Sequence, residues 1–169
     1  MPTQATEFLR KLIPYAEEAA QKLGVSARAI LAQAALETGW GKHMPQQADG
    51  QSGFNLFGLK TGSSWSGQRN NVSTVEYENG VAVQQQANFR AYDSIAQAFA
   101  DYTHLLSSSA RYVGALGHGE DIAGFAKALQ SAGYATDPHY AQKLHSIANS
   151  PQMLSALEFL KKSADVPNT

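Results

Sequence analysis

Cysteine is absent from this 169-residue chain, which also lacks a long apolar run. Without cysteine there is no disulfide framework, no thiolate metal site and no cysteine nucleophile. This absence does not assign a compartment, because reducing and oxidising environments both accept a protein without thiols. No apolar stretch approaches the roughly 20 residues that a membrane-spanning helix needs. The sequence therefore predicts no insertion into a membrane.

An excess of charge of either sign is also missing. The 13 Lys and Arg residues stand against 14 Asp and Glu, which gives a net charge of −1. A nucleic-acid-binding domain normally carries a basic stripe, so we expect no nucleic-acid partner. The low net charge and the 43% hydrophobic content are typical of a folded protein, and the length fits one domain.

Motifs for metal and cofactor chemistry are absent as well. The five histidines form neither a His-Glu-x-x-His pattern nor a set with zinc-ligand spacing. The sequence has no Gly-x-Ser-x-Gly nucleophile motif, phosphate-binding loop or dinucleotide-binding fingerprint. We therefore expect no metal and no cofactor.

Helical patterns occupy both ends of the chain. We predict a break at Pro14, which lacks an amide proton, and a helix from there to Leu23. A second helix is predicted from the N-cap Ser26 to the C-cap Gly39. Further helices are predicted over 95–106, over 120–131, from Pro138 onward and from about Gln152 to Lys161. We expect the polar tail over 162–169 to be disordered.

A long loop and a hairpin separate these helical regions. Residues 40–71 lack periodicity, but the apolar side chains between Phe54 and Trp65 predict that this loop is packed. Strand-like residues 72–78 and 81–89 flank Asn79-Gly80, a favoured two-residue hairpin turn. Such a ribbon is marginally stable by itself, so we expect it to be mobile. The sequence thus predicts an α+β fold, a helical domain with a small inserted hairpin.

Glu37 is the first candidate for catalysis. It follows Ile30 and Ala34 on one face of its helix, so a carboxyl group continues an apolar stripe in the last turn. Partial desolvation and the negative end of the helix dipole both favour its protonated form, which a general acid near neutral pH requires. Trp40, just beyond, is expected to wall the site. The alternative is an exposed glutamate at a frayed helix end.

Glu76 is the second candidate. A catalytic acid at a glycosidic bond commonly has a carboxylate partner that activates water, acts as a nucleophile or stabilises positive charge. A strand beside a cleft can carry that partner. Since Glu78 follows two residues later, spacing alone favours a pair of solvated hairpin charges.

Two further residues are candidates for binding a ligand. Tyr134 directly follows Gly133 in a turn that ends at Pro138, a position suited to stacking or hydrogen bonding. Asn55 interrupts an apolar run, and it is either a structural amide or a ligand of a sugar.

Five blocks of the sequence form a recognisable ordered set. They are AALETGWG (34–41), NLFGLK (55–60), EYENG (76–80), FRAY (89–92) and GYATDPHY (133–140). This set resembles glycoside hydrolase family 73, and the resemblance covers about residues 5–150. The segments EYENG and GYATDP are most similar to those of family members that take part in assembly of the bacterial flagellar rod.

The resemblance implies a lysozyme-like α+β fold with a small β-lobe. It implies cleavage of the β-1,4 bond between N-acetylglucosamine and N-acetylmuramic acid of peptidoglycan. Glu37 matches the family's catalytic acid, and Glu76 matches the second acidic residue on the β-lobe. Tyr134 matches a tyrosine that lines the cleft, and Asp101 an aspartate implicated in activity. Asp101 lies off the apolar stripe of its helix, so we expect it to support substrate binding rather than react.

The resemblance also implies domain organisation, partners and location. We expect one lysozyme-like glycosidase domain over residues 1–161, with the β-lobe at about 71–90. The flagellar relatives carry a rod-scaffolding region ahead of the hydrolase, so we expect this chain to be an isolated catalytic domain with an artificial Met1. The expected partners are peptidoglycan glycan strands and flagellar rod proteins. We expect a monomer that works in the periplasm.

Two other functions stay open. The chain can be a glycan-binding assembly module, in which chemistry is dispensable. It can also be a lytic transglycosylase, which uses a single glutamate on a similar fold and leaves an anhydro-muramic product. The second acid at Glu76 favours hydrolysis.

Overall fold

The computed structural model describes residues 3–44 and 53–165. It confirms the α+β prediction, with a mostly helical body and one two-stranded antiparallel sheet. The elements are α1 (Gln4–Leu23), α2 (Ala27–Thr38), β1 (Arg69–Glu78), β2 (Val81–Arg90), α3 (Ile95–Ser108), a 3₁₀ helix (Ala110–Ala115), α4 (Ile122–Ser131), α5 (Tyr140–Ala148) and α6 (Pro151–Asp165). None of the described helices is both long and apolar enough to cross a membrane.

Helix α2 is the centre of the body. Residues 29–35 are all buried, and the helix packs against α1, α4 and α5. Alanine is frequent here, and its small side chain lets the neighbouring helices approach closely. The N-cap Ser26 and the C-cap Gly39, whose φ is +55°, end the helix where the sequence predicts. The last turn of this rigid helix carries Glu37.

The predicted break at Pro14 is wrong, because α1 runs without interruption through this residue. Pro14 removes one backbone hydrogen bond to Arg10, but both residues are exposed, so water can satisfy the free carbonyl. Buried Leu9, Leu12 and Ala16 hold the helix in the core on both sides of the proline. Tertiary packing here outweighs the local cost of proline.

The hairpin has the predicted turn and longer strands than predicted. Asn79 and Gly80 have φ values of +52° and +81°, as a type I′ turn requires. The base of β2 is tied to the preceding loop, since Thr61 N–H donates to Asn88 O and Arg90 N–H donates to Leu59 O, both at 2.9 Å. The β-lobe is therefore fixed to the body at its base.

The prediction of a packed loop holds for its described part. Leu56, Phe57 and Leu59 are buried, whereas residues 45–52 lie outside the described residues. Near the C-terminus, α6 begins at Pro151 and extends to Asp165, so the boundary predicted at Lys161 is too early. Residues 166–169 of the predicted tail lie outside the described residues. The 3₁₀ helix after α3 was not predicted.

Candidate active site

A cleft of about 640 Å³ lies between the helical body and the hairpin. The hairpin forms one wall, and the segment from Gly133 into α5 forms the other. The end of α2 and residues 58–60 form the floor. Both predicted carboxylates, Glu37 and Glu76, line this cleft.

Glu37 lies half-buried on the floor of the cleft. Its carboxyl group forms no hydrogen bond or ion pair within residues 3–44 and 53–165. Burial raises the pKa of Glu37 to about 7, the negative charge of Glu76 adds to this rise, and Lys60 opposes it. A carboxyl group with this pKa keeps its proton near neutral pH and can donate it to a ligand. The sequence indicated the desolvation but not the influence of Glu76.

Gly58 brings the backbone directly against the carboxyl group of Glu37. An added Cβ at this position would lie 2.5 Å from Glu37 Oε2, and the φ of Gly58 is +67°. Glycine fits both the close approach and the left-handed conformation. The loop thus covers one side of Glu37 and contributes to its desolvation.

Glu76 faces the cleft from β1, with its side chain 13% exposed. Lys60 forms an ion pair with Oε1, and the Thr136 hydroxyl donates to Oε2 at 2.6 Å. Burial acts to raise the pKa of Glu76, but Lys60 and Thr136 outweigh it and the pKa is lowered. The pKa values of Glu37 and Glu76 are therefore shifted in opposite directions, as those of a catalytic acid and its ionised partner are.

The hairpin also contacts the opposite wall. Thr136 Oγ1 accepts a hydrogen bond from the Tyr77 backbone N–H at 3.0 Å while it donates to Glu76. Lys143 Nζ lies 2.5 Å from Asp137 Oδ2 and 5.7 Å from the centre of the Tyr77 ring. These contacts hold the tip-side half of β1 against the far wall.

Tyr134 lies in that far wall, half-buried. Its hydroxyl donates to Phe57 O at 2.6 Å, and its ring stacks on Tyr140 with centroids 5.7 Å apart. The ring of Tyr112 meets it edge-on at 6.0 Å. Since the hydroxyl proton is used within the protein, the ring face is what Tyr134 offers to a ligand.

The structure does not bring Asn55 to the cleft. Asn55 is 2% exposed, and its Nδ2 donates to Leu59 O and Arg90 O, both at 2.8 Å. Its Oδ1 accepts from Leu59 N–H at 3.1 Å. These bonds tie the loop to the base of β2. This geometry fits the structural alternative for Asn55, an amide that holds the loop in place.

Trp40 and Asp101 also lie outside the lining of the cleft. Trp40 packs edge-on against Phe8, with centroids 6.3 Å apart, and is not among the residues that line the cleft. Asp101 accepts hydrogen bonds from Arg90 Nη1 at 2.8 Å and from the Tyr92 hydroxyl. Arg90 lines the cleft. Asp101 therefore contacts the cleft only through Arg90, whose guanidinium group it binds.

Sequence reasoning missed Lys60 and Thr136, the two partners of Glu76. Both stand inside the recognisable blocks, NLFGLK and GYATDPHY. Their contacts with Glu76 span long stretches of sequence, so no helical or strand periodicity relates them to it. Their positions inside these blocks were the only feature of the sequence that pointed to a role at the site.

A helical body, a small β-lobe and a cleft with two carboxyl groups of opposed pKa shifts define a lysozyme-like glycoside hydrolase. The family model described as mannosyl-glycoprotein endo-beta-N-acetylglucosaminidase matches residues 13–153. The chain belongs to this glucosaminidase family.

Named relatives agree with this assignment. The chain is 48% identical to the peptidoglycan hydrolase FlgJ of Pseudomonas aeruginosa over 93% of this chain and 39% of that protein. A crystal structure of a peptidoglycan hydrolase from Sphingomonas sp. A1 matches with a TM-score of 0.84 and 42% identity, over 97% of this chain and 98% of that one. The glycoside hydrolase domain of Salmonella typhimurium FlgJ matches with a TM-score of 0.72 and 36% identity, over 95% and 96%. The chain spans about half or less of the length of the curated FlgJ relatives.

Proposed function

We propose that this chain is a peptidoglycan hydrolase that cleaves the β-1,4 bond between N-acetylglucosamine and N-acetylmuramic acid on the glucosamine side. The main support for the proposal is that one cleft holds Glu37, whose pKa is raised, and Glu76, whose pKa is lowered. The glucosaminidase family and the relatives named peptidoglycan hydrolase support this choice of bond.

The two carboxyl groups take different roles. Glu37 protonates the glycosidic oxygen, because its raised pKa keeps it protonated until about pH 7. Glu76 stays ionised beside Lys60 and Thr136, and it activates water or stabilises the positive charge that develops on the sugar. Neither role requires a metal or a cofactor.

Two further groups bind the glycan. The half-buried ring of Tyr134 provides a face on which a sugar can pack. Arg90 donates to the glycan from the cleft wall, and Asp101 holds its guanidinium in place through the bond to Nη1. In this proposal Asp101 is a positioning residue.

The names of the relatives support a proposal for the cellular role. We propose that the chain is a single glycosidase domain, extended from the expected end at residue 161 to the end of α6, and that it opens the cell wall in the periplasm so that the flagellar rod can pass. Flagellar rod proteins are then its partners, and the domain acts as a monomer. This proposal is supported by sequence identity to several proteins named FlgJ, for example 48% to the Pseudomonas aeruginosa protein.

Turnover of purified peptidoglycan tests the proposed reaction. Wild type, Glu37→Gln and Glu76→Gln are compared, and fragments are identified by mass and by the sugar at the new reducing end. Glu78→Gln is the matched control, because Glu78 is an exposed glutamate on the same face of β1. We expect new N-acetylglucosamine reducing ends from wild type and the control, none from Glu37→Gln and far fewer from Glu76→Gln.

Other results would replace this proposal. Full activity of a folded Glu37→Gln protein would remove the assignment of the acid. Fragments that end in anhydro-muramic acid would identify a lytic transglycosylase, because that reaction does not add water. Binding to the wall without any release of fragments would identify a glycan-binding module.

A further inference from the structure

Arg111 has an unusual position in the cleft. It lies on the 3₁₀ helix, is exposed, and lines the same cleft as Glu37. Its Nε and Nη2 donate to Ala132 O at 3.0 and 2.6 Å, and Nη2 also reaches Gly133 O at 3.2 Å. Its guanidinium carbon lies 5.2 Å from the centre of the Tyr112 ring. One edge of the guanidinium group is therefore fixed, and the group is held in a defined orientation.

The free edge of Arg111 has no internal partner. Its Nη1 makes no hydrogen bond, and the side chain pairs with no carboxylate within residues 3–44 and 53–165. The other cationic side chains that line the cleft each have an acidic partner. These pairs are Lys60 with Glu76, Arg90 with Asp101 and Lys143 with Asp137. The Nε and Nη2 atoms of Arg111 bond to the carbonyl groups at the end of α4. The Nη1 atom is left to bind a ligand.

Tyr112, whose ring lies against the Arg111 guanidinium, adds a second donor at this side of the cleft. The residue is 6% exposed, and its hydroxyl makes no hydrogen bond in the part of the chain that the structure describes. The hydroxyl is not fully enclosed, and Tyr112 is one of the residues that line the cleft. Burial raises the pKa of Tyr112, and the positive charges of Arg111 and Arg90 oppose that rise.

We propose that Arg111 and the Tyr112 hydroxyl form an anion subsite for a carboxylate carried on the muramic acid side chain of the substrate. This inference rests on the proposed function, since N-acetylglucosamine itself is uncharged. The carboxylates of peptidoglycan belong to the peptide attached to the lactyl group, or to the lactyl group itself once the peptide is removed. A guanidinium edge and a hydroxyl are suited to the two oxygens of either group.

Binding of soluble peptidoglycan fragments tests the subsite. Fragments with intact peptides are compared with the same fragments after their carboxylates are converted to amides, which removes charge and keeps size. Dissociation constants are measured by calorimetry on Glu37→Gln, so that the fragments are not cleaved during the measurement. Charge-assisted hydrogen bonds correspond to roughly tenfold to hundredfold changes in affinity. We expect at least tenfold weaker binding of the amidated fragments.

Variants at the subsite show whether the loss arises there. Adding Arg111→Gln or Tyr112→Phe to Glu37→Gln should weaken binding of the native fragments and leave binding of the amidated ones unchanged. Arg28→Gln is the matched control, because Arg28 donates to Ala148 O at the end of α5, a capping role like that of Arg111 but outside the cleft. This control should keep the preference for native fragments.

The remaining arms separate the outcomes. Fragments stripped of peptide carry a free lactyl carboxylate, which is an amide in the peptide-bearing fragments. If the stripped fragments bind more tightly than the amidated ones and Arg111→Gln removes this difference, the ligand is the lactyl group; if only the native fragments bind more tightly, it is the peptide. The subsite is overturned if neither kind of fragment with a free carboxylate binds more tightly than the amidated one, or if Arg111→Gln weakens binding of all of them equally. Turnover by wild type is followed separately. Absence of turnover refutes the hydrolase while the binding data still decide the subsite.

Discussion

Replacing Glu37 by glutamine should make the protein more stable at neutral and alkaline pH. The carboxyl group is half-buried and lacks hydrogen-bond partners in the described part of the chain, so its ionisation costs free energy. Glutamine has the shape of the protonated carboxyl group and never ionises. The substitution removes the cost of a buried charge together with the proposed acid.

The magnitude and its pH dependence follow from linkage. The pKa of Glu37 is raised from 4.5 to about 7, which corresponds to about 3 kcal/mol at roughly 1.4 kcal/mol for each pKa unit. Below pH 4.5 the carboxyl group is protonated in both the folded and the unfolded chain, so wild type and Glu37→Gln should be equally stable. Between 4.5 and 7 the folded state holds a proton that the unfolded state has lost, so wild-type stability falls as pH rises. Above pH 7 the difference stays at its full value.

Urea unfolding of both proteins at several pH values from 4 to 9 measures this difference. In thermal unfolding, about 3 kcal/mol corresponds to a rise of roughly 6 to 12 °C in Tm for a domain of this size. Glu17→Gln, at an exposed position on α1, is the control for exchanging a glutamate and should show no such trend. A difference that does not change with pH, or a Glu37→Gln protein that is less stable at pH 8, would refute the reasoning.

Three further predictions use the same site. In Glu76→Gln the pKa of Glu37 should fall toward its ordinary value but stay above it, because the negative neighbour is lost and burial remains; carbon NMR titration of the carboxyl group measures this, and an unchanged pKa contradicts it. Gly58→Ala should abolish activity, because the added Cβ would displace the carboxyl group of Glu37. Gly117→Ala is the control, because Gly117 also has a positive φ, +75°, but has open space around it. It should lose only about 1 kcal/mol of stability and keep its activity. Asn55→Ala should lower the free energy of unfolding by about 3 kcal/mol, because its three hydrogen bonds to the backbone of Leu59 and Arg90 are lost. A loss below about 1 kcal/mol would contradict this.

Local signals in the sequence predicted those parts of the fold that are themselves local. The Asn79-Gly80 turn and the caps at Ser26 and Gly39 depend on a few neighbouring residues, and all are confirmed. The continuous helix through Pro14 depends on packing against distant helices, which the local pattern does not contain. Helix propensity is therefore a guide to boundaries only where the core does not decide them.

The site divides along the same line. Glu37 is visible in the sequence because it continues an apolar stripe, and the stripe predicts its desolvation. The ionised state of Glu76 depends on Lys60 and Thr136, which only the folded chain brings together. Asn55 could not be assigned from its residue type, because a polar residue within an apolar run is typical both of an amide that holds a loop in place and of a ligand-binding residue.

Thr136 connects the position of the hairpin to the charge on Glu76. Its single hydroxyl accepts from the backbone N–H of Tyr77 and donates to Glu76. Since the donated bond favours the ionised carboxylate, reciprocity requires that the ionised carboxylate favour the hairpin resting on Thr136. A proton on Glu76 weakens this bond and the ion pair with Lys60 together. We therefore expect acidification to lower the free energy needed to lift the hairpin, because it weakens both the Thr136 bond and the Lys60 ion pair.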